Sequence, residues 1–379
     1  MKSSSKKKRI GIVANTTWNI YNFRLNVIEK LLADDYEVFV LAPTDEFIEY
    51  KEKFPQVKHI HLRFITRDGK HPIKDIVFIE ELRRKYKKLE LDIVLHYTHK
   101  PNIYGAIAGQ LAGIPTIGVI TGLGYPFLKK GWIEKLVSGL YKLTSNLHKK
   151  VIFENEDDRL MFTEKGMVKA SKAISVKGCG VNIDHFSPTN EGERNGVTRF
   201  TFIGRLLYDK GIKEFVLAAE EIKKRYNGKS RFTVVGELDK DNPSSVNPDE
   251  LANWIHQDLI DYKGYVKDVR KIISDSDCIV LPSYREAIAR SLTESMAMGK
   301  AVIATETAGC REAIDHGENG FLVPVKDSDS LRKAMDNIIQ MNNEELAKMG
   351  EFGRTKTIKE FDDRIIANQI VDIVNSVLE

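Results

Sequence analysis

Short apolar runs alternate with longer stretches whose apolar residues recur at every third or fourth position. Runs such as RIGIVAN, EVFVLAP, DIVLHYT and TIGVITG read as strands, and RLNVIEKLLADD, IVFIEELRRKYKKL and IYGAIAGQLAG read as amphipathic helices between them. After a helical stretch from Gly131 to Lys150 come two more strand-like runs, VIFEN and AISVKG. Between His185 and Val197 the pattern dissolves into FSPTNEGERNGV, the composition of a linker. It then restarts with RFTFIGR, IKEFVLAAEEIKKRY, RFTVVG, PDELANWIHQ, YKGYV, VRKIISDS and CIVLP. Repeated strand and helix predict two α/β, doubly wound, Rossmann-like domains, 1–188 and 198–361, with a last helix in 362–379. Such sheets bind ligands outside the carboxyl ends of their strands, and two of them joined by a linker leave a cleft between.

Composition narrows the classes. The 379 residues suffice for two domains with their own cores. A net charge of +4 is too weak to argue for nucleic acid. Cys179, Cys278 and Cys310 are far apart and form no C-x-x-C, which points to a reducing compartment without a disulfide framework or structural zinc. No apolar run reaches the roughly 20 residues of a membrane span, and MKSSSKKKR leads straight into a strand pattern instead of a signal-peptide core. The expected location is cytoplasmic, or peripheral on the cytoplasmic face of a membrane.

Candidate chemistry concentrates in PSYREAIARSLTESMAMGKAVIAT, residues 282–305, read as turn, helix and strand directly after CIVLP. Glu286 falls in the turn and Glu294 about two turns into the helix. Between them, the backbone amides of Ala287, Ile288, Ala289 and Arg290 are expected at a helix N-terminus, where phosphate oxygens are favoured. Two carboxylates flanking an anion site suit a sugar diphosphate, since carboxylates accept strong hydrogen bonds from hydroxyls. The plainer reading is a helix start with one surface Glu. Upstream, Gly204 and Arg205 end the first strand of the second half and Lys210 precedes the next helix, two cations able to neutralise a diphosphate. An ordinary charged loop reads the same way. Base contacts are expected on backbone near Gly264, at Tyr265 and Val266.

In the first half the expected loops are Asn15–Asn19, Thr98–Asn102 and Thr121–Tyr125. His99, with His96 as competitor, is the candidate at the reaction centre. Lys100, Asn102, Thr121 and Gly122 are candidates for the acceptor. Asn15, Thr16, Thr17, Trp18 and Asn19 either contact a sugar or form a turn with a core tryptophan. No GxGxxG follows either first strand, and no HExxH or strand-end DxD occurs. Asp157 and Asp158 read as a helix cap. No metal or other cofactor is implied.

The E-x7-E unit, its flanks PSYRE and ESMAMGKAVIAT, the later GCREAIDHGENGFLV and the G-R-x-x-x-x-K-G pattern resemble the retaining glycosyltransferases of family 4, which have the GT-B fold. In that family the residue matching Glu286 contacts the donor sugar, that matching Glu294 the nucleotide ribose, and those matching Arg205 and Lys210 the leaving diphosphate. His99 matches a histidine beside the donor sugar. The family usually has Gly and often Pro where this chain has Ala287 and Ala289. ANTTWNIYNFR, HKPNIYGAIAG, ITGLG and FENEDD resemble a subgroup of bacterial capsule, O-antigen and lipid-linked oligosaccharide enzymes. The resemblance implies metal-independent transfer of a hexose or N-acetylhexosamine from a nucleotide diphosphate, UDP by preference, to a polyprenyl-diphosphate-linked glycan. It also implies a terminal helix that crosses back to the acceptor-binding first domain. A sugar-nucleotide 2-epimerase of the same fold and a catalytically silent binding subunit stay open as alternatives.

Trp132, Leu136, Leu140, Leu143 and Leu147 fall on one helical face, ringed by Lys129, Lys130, Lys135, Lys142, Lys149 and Lys150. Such a helix either lies in an anionic lipid interface or covers a sheet.

Overall fold

The computed structural model describes residues 6–65, 72–123, 127, 131–189, 196–226, 228–239 and 242–379. The chain forms two compact units, Met1–Gly180 with Asp363–Glu379, and Val181–Asp362.

The first unit is built on seven strands: β1 (Arg9–Val13), β2 (Glu37–Ala42), β3 (Lys58–His61), β4 (Ile93–Tyr97), β5 (Thr116–Ile120), β6 (Lys150–Phe153) and β7 (Ala173–Ser175). They pair in parallel in the order β3-β2-β1-β4-β5-β6-β7. β4 and β5 are buried along their whole length, which explains why their sequences are continuous apolar runs with no polar alternation. The second unit carries β8 (Thr198–Ile203), β9 (Ser230–Val235), β10 (Asp261–Tyr262), β11 (Cys278–Leu281), β12 (Ala301–Thr305) and β13 (Gly320–Val323). Their parallel order is β10-β9-β8-β11-β12-β13. Both sheets reverse winding direction once, between β1 and β4 and between β8 and β11. These are the places where doubly wound sheets open a crevice for ligands.

The first unit ends at Gly180, short of the expected boundary at 188, because Val181, Ile183 and Phe186 are buried in the second unit's core. The terminal helix, Asp363–Leu378, places Ile366, Ala367, Ile370, Val371 and Val374 in the core of the first unit. Asn26 fixes that return by donating to the carbonyls of Cys179, at 3.1 Å, and Asp363, at 3.0 Å. Gly180, at φ 80°, lies so close that a Cβ there would stand 2.5 Å from the Asp363 Cα.

Two smaller expectations need correction. The Gly131–Lys150 segment is a helix only over Trp132–Thr144, followed by a short 3-10 turn and β6. The cap of the Glu156–Glu164 helix is Asn155, whose side chain accepts from the Asp158 amide; the two aspartates sit inside the first turn. Among the described residues, no helix is long and apolar enough to cross a membrane.

Candidate active site

In the second unit the candidate residues gather at the switch point. After β8, Gly204 leads into Arg205 and then a 3-10 turn, Tyr208–Lys210, closed by Gly211 at φ 76°. After β11 the chain runs through Pro282–Ala289 to a helix over Arg290–Ala297. The two loops are bolted together. The Tyr284 amide donates to the Asp209 carbonyl at 2.9 Å, and the buried Ser283 hydroxyl donates to the same oxygen at 3.2 Å. Gly211 lies so close to Pro282 that a Cβ would stand 2.0 Å from the Pro282 carbonyl oxygen, so the K-G of the first loop is dictated by the P-S-Y of the second. The Tyr284 hydroxyl donates to Glu214 at 2.7 Å and anchors the loop from below.

This bracing brings Lys210 to Glu286, and the ammonium donates to the carboxylate in a part-buried pair. The Glu286 carbonyl accepts from the Gly309 amide at 3.3 Å, and a Cβ on Gly309 would stand 1.1 Å from the Ala287 carbonyl oxygen. The glycine in T-A-G-C-R-E is therefore what lets the turn carrying Glu286 close onto the next loop. Arg205 is turned elsewhere, donating to Asp239 at 2.7 Å. Three glycines line the ends of adjacent strands: the Gly236 amide donates to the Gly264 carbonyl at 2.9 Å, and a Cβ on Gly236 would stand 1.8 Å from the Gly204 carbonyl oxygen. Tyr265, next to Gly264, is exposed and Val266 is half-buried.

The helix begins three residues later than the sequence suggested. Arg290 is its first residue and Ala289 its N-cap, so Ala287 and Ile288 belong to the preceding turn and Glu294 lies little more than one turn in. The helix-terminal amides start at Arg290. Ala287 is not at positive φ, so a side chain there carries no backbone strain. Glu294 is buried and pairs with Arg290 across one turn at 2.6 Å. Burial pushes its carboxyl above the usual range, against the pull of Arg290.

In the first unit, His99 opens the helix His99–Ala112 directly after β4, and its Nδ1 lies 2.7 Å from the Tyr141 hydroxyl. Burial pushes the His99 pKa down to about 4. Thr98 before it is held at φ 70°, ψ 166°, a conformation rare outside glycine. His96 is excluded as a competitor: fully buried, 2.7 Å from the Tyr86 hydroxyl, its ring fills the space beside Gly105. Lys100 reaches back to Asp75 at 2.9 Å, and Tyr104 donates to the same carboxylate at 2.7 Å.

Several acceptor candidates turn inward. Asn102 is buried; its amide donates to the Thr98 and Val119 carbonyls, each at 2.8 Å, and its oxygen accepts from the Val119 amide at 3.0 Å. It is a cross-brace between helix and β5, not a ligand contact. Thr16 caps the helix Thr17–Phe23, Thr17 is buried against Asp45, and Asn19 is buried. Trp18 is not the core tryptophan that one reading of its loop expected: it is 42% exposed, with its edge against Phe23. Asn15, Thr121 and Gly122 stand partly exposed at strand ends, Gly122 at φ 103°.

Sequence reasoning passed over one pair. Arg24 and Glu154 are both buried and joined at 2.9 Å, with the guanidinium 4.2 Å over the Tyr97 ring. They explain the arginine of YNFR and the glutamate of FENE: one ion pair ties segments after β1 and β6 to the end of β4. Glu154 abuts the apolar end of β6, a signal present in FENE, whereas Arg24 lies between two helices and left no comparable one.

The family described as "Glycosyltransferase Family 4" matches residues 23–185, and "Glycosyl transferases group 1" matches residues 186–356. A Campylobacter jejuni protein named N,N'-diacetylbacillosaminyl-diphospho-undecaprenol alpha-1,3-N-acetylgalactosaminyltransferase is 28% identical over 98% of this chain and 99% of its own length. The Escherichia coli UDP-Gal:alpha-D-GlcNAc-diphosphoundecaprenol alpha-1,3-galactosyltransferase is 27% identical over 69% of this chain and 70% of its own. Among solved structures, a glycosyltransferase from Rickettsia africae superposes with a TM-score of 0.81 at 20% identity, covering 99% of this chain and 100% of that one, a likeness of fold. With family matches across both halves and two switch-point sites of this make-up, the chain belongs to the family 4, group 1 glycosyltransferases of GT-B fold.

Proposed function

We propose that this enzyme transfers a hexose or N-acetylhexosamine, with retention, from a UDP-sugar to a polyprenyl-diphosphate-linked glycan. The observation that carries the reading is the Lys210–Glu286 pair at the second unit's switch point, a cation and a carboxylate side by side where doubly wound sheets bind ligands. In the donor complex Lys210 turns to the diphosphate and Glu286 accepts from a sugar hydroxyl. Arg205, released from Asp239, and the amides from Arg290 onward complete the charge stabilisation, which is the main demand when a diphosphate leaves. The C1–O bond to phosphate breaks as the C1–O bond to the acceptor forms on the same face, and the acceptor proton passes to the departing phosphate oxygen. No metal is needed in this scheme, because the two cations take its place. Glu294 accepts from the ribose hydroxyls, and the strand-end glycines with Tyr265 and Val266 meet the base. Support for the acceptor class comes from the two relatives, whose names both carry an undecaprenol diphosphate.

The same reading places the first unit on an anionic membrane surface. A helix that only covers its sheet buries its large apolar residues. Here Trp132, Leu136 and Leu143 are 69%, 53% and 74% exposed, with Lys135 and Lys142 exposed beside them. Leu140 and Leu147 turn partly inward, so the exposed stripe is narrower than the sequence implied. Lys129 and Lys130 lie outside the described residues. Ile73 and Ile76, on the Pro72–Lys88 helix of the same unit, are 78% and 67% exposed. Apolar side chains entering the acyl boundary with lysines at headgroup level form an interfacial helix, suited to an acceptor held in the bilayer.

A panel of nucleotide sugars offered with polyprenyl-diphosphate-linked acceptors, followed by product NMR, tests the reading. One UDP-sugar giving an α-linked product supports it. Conversion of a nucleotide sugar without acceptor favours the epimerase, and binding without turnover favours the silent subunit.

A further inference from the structure

Tyr141 lies on the inward side of the Trp132–Thr144 helix, 1% exposed, and among the described residues its hydroxyl has a single partner, His99 Nδ1 at 2.7 Å. The two rings meet edge-on, with centroids 6.1 Å apart at 64°. A phenol hydroxyl both donates and accepts, whereas neutral imidazole carries its proton on one nitrogen only. If Nδ1 carried it, the phenolic proton would be buried with no acceptor among the described residues, an unmade hydrogen bond at full desolvation cost. If Tyr141 donates to Nδ1, both groups are satisfied and the imidazole proton sits on Nε2. Nε2 has no partner among the described residues.

We infer that Tyr141 is a positioning residue that locks His99 in the Nε2–H tautomer, so that a neutral imidazole offers a hydrogen-bond donor, not a base, to a substrate oxygen. The substrate contact rests on the proposed transferase reading; the tautomer does not. Tyr141 is buried and His99 half-buried, and their desolvation favours the neutral pair, with the imidazole pKa pushed down and the phenol pushed up. The ring is held by Tyr141 while the backbone is held by Thr98 at φ 70°. A donor fixed in this way stabilises negative charge that develops on the oxygen it meets, and abstracts no proton. Tyr141 thereby joins the candidate site to the helix whose outer face carries Trp132, Leu136 and Leu143.

The test uses full-length protein labelled with 15N-histidine at pH 7.5, with the His99 signals assigned by their loss in His99→Gln. Wild type is expected to show a protonated Nε2 and an unprotonated Nδ1 at His99. Tyr141→Phe keeps the edge contact with Phe162, at 5.1 Å between centroids, so it should fold; there the signals should move toward a tautomer mixture. Its turnover is expected to fall about tenfold with donor KM unchanged, the range of a misplaced donor. A protonated Nδ1 in wild type, or a spectrum unmoved by Tyr141→Phe, overturns the tautomer lock. Wild-type turnover in His99→Gln overturns the substrate contact instead. The wild-type spectrum alone decides the tautomer if Tyr141→Phe fails to fold.

Discussion

Lys210 donates to the Glu286 carboxylate across the switch point of the second sheet, and both are held in place by loops that interlock through Gly211 and Pro282. The loops therefore hold the two charges side by side before a ligand arrives, and a ligand that brings phosphate to one and hydroxyls to the other has only to part the pair. Once the ammonium has turned to the diphosphate, it needs no further reorientation as charge develops.

If Lys210 and Arg205 supply the positive charge for the leaving diphosphate, Lys210→Ala and Arg205→Ala should each lower turnover by about 100-fold or more, the range seen when one stabilising group is removed. Activity should be unchanged in EDTA. Loss of activity in EDTA that magnesium restores would assign the charge to a metal instead.

Gly309 tests the bracing itself. Alanine there places a Cβ on the Ala287 carbonyl, which must move together with the turn holding Glu286. Gly309→Ala is expected to cost about 1–3 kcal/mol of stability, as overpacking does, and to weaken nucleotide binding. Gly139→Ala, where a Cβ meets open space, is the control for calorimetry and nucleotide titration.

Acid should weaken the first unit. Burial pushes His99 and His148 down to about 4, and pushes His96 well below its ordinary value, with His148 adding charge repulsion. In the unfolded chain these rings titrate near about 6.5. Their folded pKa values are depressed, so their contribution to stability is complete above about pH 6.5 and is lost as pH falls toward about 4. Calorimetry should show a falling transition temperature over that window and uptake of about two to three protons on unfolding near pH 5. A transition temperature independent of pH there would contradict the assignment.

Membrane seating predicts a split between acceptors. Leu136→Glu with Leu143→Glu should abolish co-sedimentation with anionic vesicles at low salt and raise KM for a polyprenyl-linked acceptor. Turnover on a short water-soluble acceptor should be unchanged, because neither residue lines the candidate site. Equal vesicle binding by variant and wild type would remove the lipid surface from the account.

Much of this was legible in the sequence. Parallel strands buried on both faces read as unbroken apolar runs, as in β4 and β5, and the glutamates, arginine and lysine of the second unit declared themselves by their place after such runs. Side-chain direction was less legible. Asn102 and Thr17 fall in stretches that read as ligand-binding loops, yet both lie in the first turn of a helix, and backbone and carboxylate partners far along the chain draw them inward. Helix onset was misread by three residues because Ala287, Ile288 and Ala289 are compatible with helix, whereas in the structure they form a turn packed against Gly309. The Tyr141 contact spans 42 residues of sequence and left no local signal.

The central claim, that Glu286 holds the donor sugar most strongly in the transition state, is tested most directly by comparing turnover and donor affinity in Glu286→Gln. The amide keeps the shape of the side chain but loses the charge that accepts from the sugar hydroxyl. Turnover at saturating donor and acceptor is expected to fall about 100-fold, while the donor dissociation constant from calorimetry changes by less than about threefold. Near-normal turnover in Glu286→Gln would contradict the account.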